Sequence, residues 1–321
     1  MRCVQILALL AAQSGFALGL ASTDAVSLKA VPDGLQIWRD GAEKALIARG
    51  SADSLATAAV LAFQAPTKPA ALDLAVRASA SAPENAAIGW VHLQLCAHAS
   101  GCDIRDAATT LRWVDADNSA AWLPTLAAAQ KDRDATEIDR VLVDMAHGAR
   151  FDFYWNRIIV LTADSLKNVR GELPRRAPKS DGARLPAMSE LAAAELLPSF
   201  LPLNEACREP AAGTERRESC LKLSKIMQRG DTVVAQMAGL SLEKHLVAPD
   251  GKEARAIAER RRVLEWRVAT AAQFDTPLLP WLTNTRARSR LSLMRTLPRE
   301  EDVCVAMLKE HGMATEPPEN H

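Results

Sequence analysis

The chain has 321 residues, 39 basic and 39 acidic side chains, a formal net charge of zero, 48% hydrophobic residues and 4% aromatics. A charge-balanced chain is not built to hold nucleic acid by releasing counterions from phosphates. Good helix formers dominate, tyrosine occurs once and clusters of β-branched residues are few, which argues against a sheet and for an all-α chain.

The first 21 residues, MRCVQILALLAAQSGFALGLA, place Arg2 before an apolar run and end on Gly19-Leu20-Ala21. A short basic end, an apolar stretch and a small-x-small site predict a cleaved secretory signal over 1–21. The competing reading is a membrane anchor, but spanning takes about 20 apolar residues, and Gln13 and Ser14 interrupt the run. No later stretch is apolar enough to span, so a periplasmic or secreted chain without a membrane span is expected.

Residues 22–50 read as irregular, with Asp-Gly turn signals at Asp33-Gly34 and Asp40-Gly41. Helical periodicity begins with DSLATAAVLAF, capped by Asp53, and continues in AALDLAVRASAS before Pro83. PENAAIGWVHLQLC then matches ADNSAAWLPTLAAA at a shift of 33 residues, pairing Asn85 with Asn118, Ala87 with Ala120 and Leu93 with Leu126. One further step reaches Phe151 and the helix WNRIIVLTADSLK. A period of this length marks helical hairpins that bury their apolar faces by stacking.

On Asn118, Trp122, Leu126, Ala127 and Asp134-Ala135, and on Pro83, Asn85, Trp90 and Gly101, the stretch 52–167 resembles tetratricopeptide repeats. The resemblance implies a helical-hairpin solenoid whose concave face takes a protein or peptide. Pro124, in the first turns of its helix, departs from the family's pattern, as does the misalignment of Trp90 and Trp122. A helical-repeat domain is therefore expected over 22–168. VRGELPRRAPKSDGARLP predicts a linker over 169–187, and further helices fill 188–312 as a second domain or a continuation of the stack. In that region Gly230 and Asp231 read as a helix stop and the next helix's N-cap, which accounts for the Arg-Gly-Asp tripeptide. The segment 313–321 reads as a disordered tail.

The cysteines left after cleavage carry the sharpest local question. Cys96, His98 and Cys102 offer at most three metal ligands, and no Cys-x-x-Cys or His-x-x-x-His accompanies them. In an exported chain a Cys96–Cys102 disulfide across the Gly101 turn is the favoured reading, with a second bridge between Cys207 and Cys220. The competing reading is a metal-dependent hydrolase built on Cys96, His98 and Cys102. Cys304 is left over, and its role stays open.

Phe151, Phe153, Tyr154 and Trp155 crowd four aromatics into five positions. Together with Trp122 they are candidate binding residues, set against ordinary use as a seal on the next element. ERRRVLEWR could face an anionic partner, but interspersed Glu259 and Glu265 favour a salt-bridged, solvated face. No phosphate loop, nucleophile elbow, His-Glu-x-x-His or dinucleotide fingerprint occurs. The expected function is an exported helical-repeat protein that binds a protein or peptide partner, without catalysis and without a cofactor.

Overall fold

The structure is a computed structural model and describes residues 33–63, 68–167, 169, 193–194, 196–208, 213–274 and 283–318. The predicted signal at 1–21 and all but the first residue of the predicted linker lie outside the described residues. The fold is all-α: among the described residues there are fourteen α-helices, and the extended pairing consists of an isolated bridge between Asn118 and Arg150.

The helices are α1 (Asp33–Arg49), α2 (Ala52–Phe63), α3 (Lys68–Ser81), α4 (Ala86–His98), α5 (Ile104–Val114), α6 (Leu123–Lys131), α7 (Ala135–His147) and α8 (Trp155–Leu166). They continue as α9 (Leu201–Ala206), α10 (Glu215–Met227), α11 (Val233–Leu246), α12 (Lys252–Ala272), α13 (Thr283–Thr296) and α14 (Glu300–Glu310). Their starts follow from polar caps, because the first N–H groups of a helix have no partner inside it. Asn85 accepts from Ala87 and Ile88, Asp103 from Arg105 and Asp106, and Asp134 from Glu137. Thr214 and Thr232 do the same for α10 and α11.

Three local expectations are corrected. Residues 33–49 are helical rather than irregular, although the stretch contains two glycines. Glycine costs about 1 kcal/mol in a helix, and burial of Ala42 and Leu46 against α2 outweighs it. The cap of α2 is Ser51, whose hydroxyl accepts the Ser54 N–H, and not Asp53. Pro124 causes no break because a 3₁₀ turn, Ser119–Trp122, precedes α6 and leaves the proline in its first turn.

Consecutive helices pack on one another from α1 through α7, and α10 with α11 then stacks on α7. Gly239 sets the α10–α11 crossing. A Cβ there would lie 2.7 Å from the Ser224 carbonyl oxygen and 2.8 Å from the Met227 Cβ, so only glycine lets the backbones approach this closely. One apolar core runs from Ala42 to Met307, and a smaller one joins α11, α12 and α14 through Leu240, Leu264, Val268 and Leu308. The core does not divide between the regions on either side of 169–187.

Helix α8 does not extend the stack. It folds back on α2, with further contacts to α1 and α4, and it is buried on most of its circumference. It therefore covers the side of the hairpins formed by their first helices, the side that a tetratricopeptide-like reading would leave open. The segment 313–318, expected to be a disordered tail, instead lies along α12.

Candidate functional site

The two cysteine pairs are joined as the sequence suggests. Cys96 and Cys102 are bonded across the turn between α4 and α5, with Cα atoms 5.3 Å apart, and Cys207 and Cys220 tie the end of α9 to α10 at 5.8 Å. Closing loops this short stabilises by about 2–3 kcal/mol through the unfolded state. The bond removes two of the three ligands that a metal at Cys96, His98 and Cys102 would need. His98 is exposed and its ring packs near Phe63, with centroids 5.2 Å apart. Among the described residues no cluster of three potential metal ligands exists. Cys304 is a buried free thiol in α14.

The aromatic run does not form an open platform. Phe153, Tyr154 and Trp155 are only 1%, 4% and 6% exposed. Phe153 stacks on Trp90 of α4 at 5.3 Å and packs against Phe151 and Phe200. These rings form the plug through which residues 151–166 cover α2 and α4. The polar groups around the plug are fully enlisted. Asn118 accepts the Asp152 N–H at 2.9 Å and donates to the Asp152 carbonyl and the Tyr154 hydroxyl. The Tyr154 hydroxyl donates to Asp115, whose other oxygen pairs with Arg150. Burial, and then donation to Asp115, push the Tyr154 phenol well above its ordinary value. Tyr154 itself sits in the left-handed region at φ 57°, a conformation rare for a large residue.

Asp231 closes the plug from the other side. Its carboxylate accepts the backbone N–H of Phe153 at 2.9 Å and of Trp155 at 3.0 Å. It thus caps α8, a helix 76 residues earlier, while Thr232 caps α11. At 4% exposure Asp231 is not open to an adhesion receptor, and Gly230 is needed because its Cβ would lie 2.7 Å from the Phe151 carbonyl oxygen. Burial, with the charge of Asp152 adding to it, pushes the Asp231 carboxyl up to about 8.

The open features lie on the outside. Trp122 is half-buried, and the guanidinium of Arg112 lies 4.0 Å from its ring centre, so its face is already occupied. The next residue, Trp113, points away from the core of α5 and is 90% exposed. Trp90 and Trp155, by contrast, are buried. Sequence reasoning passed over Trp113. The signal was available: Ala107, Ala108 and Leu111 form the buried stripe of α5, and position 113 falls off it.

Helix α12 carries the second open feature. Arg260 and Arg267, with Arg299, converge on the buried Glu301. Arg261 pairs with Glu265 and Arg262 with Glu259, as the interspersed acids suggest. Among the described residues no helix is long and apolar enough to cross a membrane. No protein-family model matches the chain, and no match is found among curated proteins or solved structures.

Proposed function

We propose that the chain is an exported scaffold of stacked helical hairpins, tetratricopeptide-like over α2–α7, that binds a protein partner through its outer face at Trp113. The export reading is supported by the signal-like first 21 residues and by two bonded cysteine pairs, which persist in oxidising compartments. The hairpin reading is supported by the 33-residue spacing of Asn85 and Asn118, both of which cap a helical turn.

One observation carries the binding reading. A tryptophan with 90% of its surface in water contributes almost nothing to its own fold. Tryptophan is among the residues most enriched at the energetic centres of protein interfaces. The hairpins' inner side is filled by α8, so the outer side is the surface left for a partner. Asp106, two turns earlier on α5, and Asp117 are also exposed. The fitting partner offers an apolar pocket with a basic rim.

Photo-crosslinking in cells tests this. A photoreactive amino acid at position 113 is expected to capture one discrete partner, and the same probe at exposed Val76 is not. Trp113→Ala should abolish co-purification of that partner while changing stability by less than about 0.5 kcal/mol, as for exposed side chains generally. Equal capture from both positions would contradict the assignment.

A further inference from the structure

Helix α14 ends in a turn that redirects the chain. Gly312 adopts φ 67°, its N–H reaches the Lys309 carbonyl, and the Met313 N–H reaches the Leu308 carbonyl at 2.9 Å. This pairing is the Schellman arrangement, which needs a left-handed residue after the helix. Just before it, His311 stacks on Phe274 at 4.1 Å. Residues 313–318, Met-Ala-Thr-Glu-Pro-Pro, then run back along α12 without helical structure.

What holds this segment is almost entirely donors on α12. The Trp266 indole N–H reaches the Ala314 carbonyl at 3.5 Å. The Arg267 Nε donates to the Thr315 carbonyl at 2.9 Å, and its Nη2 pairs with the Glu316 carboxylate. The Arg262 Nη1 reaches the Pro318 carbonyl at 3.3 Å. Successive main-chain carbonyls and one carboxylate are thus read by three side chains in two adjacent rows of one helix.

The reading group is held independently of the segment. The other terminal nitrogen of Arg267 donates to buried Glu301 at 2.7 Å, and its side chain is 16% exposed. Its fork therefore stays aimed outward when Glu316 leaves. Arg262 is likewise steadied by Glu259. The segment, in contrast, brings no buried anchor: Glu316 is 60% exposed and Met313 39%. A few bonds to partly solvated groups are comparable in size with the entropy lost in ordering six residues, so the segment is exchangeable. The two prolines after Glu316 stiffen it and reduce that entropy.

We propose that the α12 face formed by Arg262, Trp266 and Arg267 is a recognition site for short acidic, proline-bearing peptide segments, and that residues 313–318 occupy it in cis as a built-in competitor. The site is separate from the Trp113 face, and either assignment can fail alone.

The test uses the full chain and an end-blocked fluorescent peptide of sequence MATEPP, read by anisotropy. Glu316→Ala weakens the internal competitor and leaves the α12 donors in place. The peptide should bind this variant at least about five-fold more tightly than it binds the unmodified chain. A peptide with glutamine in place of its glutamate should lose about ten-fold or more, because the charged pair with Arg267 is gone. Arg262→Ala in the Glu316→Ala background should weaken binding about three-fold through the lost carbonyl contact. Equal binding to the unmodified and Glu316→Ala chains, or undiminished binding of the glutamine peptide, would overturn the proposal. A dimer dissolved by the peptide would overturn the cis seating.

Discussion

Asp231 and Glu301 are both buried carboxylates close to the N-terminal ends of helices, α11 and α14, yet their partners differ in kind. Asp231 faces backbone N–H groups of Phe153 and Trp155, with Asp152 and Glu300 nearby and no cation bonded to it. Glu301 faces Arg260, Arg267 and Arg299. The first arrangement locks an aromatic plug into the hairpin stack by hydrogen bonds in a water-free setting, where an unmet donor is costly. The second joins α12 to α14 with ion pairs whose arginines remain partly in water, where salt screens them. One chain thus secures its two ends by different physics, and the two ends respond to different perturbations.

The largest effect should come from Asp231→Ala, which strands two buried N–H groups at the start of α8. The cost is about 4 kcal/mol, from roughly 1–3 kcal/mol per unsatisfied buried group. Chemical denaturation should register it as a lower midpoint. A loss under about 1 kcal/mol would mean that the plug is not held from this side.

The pH response sharpens the contrast. Asp231 is pushed up to about 8, above its unfolded value of 3.8, so folding favours the protonated form. Its contribution is full below the unfolded value and is lost as pH rises through the folded one. Asp152 is shifted in the same direction, mainly by burial. His92 opposes them: burial lowers its pKa, so the stability it provides is lost as pH falls below its ordinary 6.5. The decisive quantity is therefore the difference between the unmodified chain and Asp231→Asn. The fall in melting temperature between about pH 5 and about pH 8 should be smaller in the variant, because the titrating group is gone. Parallel profiles would remove Asp231 as their source.

Glu301→Ala should cost less, about 2 kcal/mol. That lies below the range for fully buried pairs, because Arg260 and Arg299 keep 43% and 33% of their side-chain surfaces in water. Raising the salt concentration should reduce the cost of Glu301→Ala and leave that of Asp231→Ala almost unchanged. Equal salt responses would erase the distinction between the two ends.

The local part of this architecture was legible in the sequence. Apolar periodicity marked α2 to α7, Asn85, Asp103 and Asp134 announced their helices, and an oxidising compartment with short spacings paired the cysteines. The rest depends on contacts between distant residues. That α8 turns back onto α2 and α4 cannot be read from its periodicity, because nearly every face of the helix is buried. The left-handed Tyr154 carries no local signal, since such backbone normally selects glycine or asparagine. Asp231 looked like a cap and is one, but its helix lies 76 residues away rather than next door. Of the candidate site residues, Phe153, Tyr154 and Trp155 stood out by clustering, and clustering is also what a plug requires. Trp113 stood alone and was missed.

Native-state hydrogen exchange measured by mass spectrometry tests the central claim most directly. The plug residues 151–158, with the Phe153 and Trp155 amides bonded to Asp231, should exchange only through global unfolding and rank with the slowest peptides of the chain. Residues 313–318, held by partly solvated α12 side chains, should exchange fastest among the described residues. A 151–158 peptide exchanging as quickly as 313–318 would contradict the account.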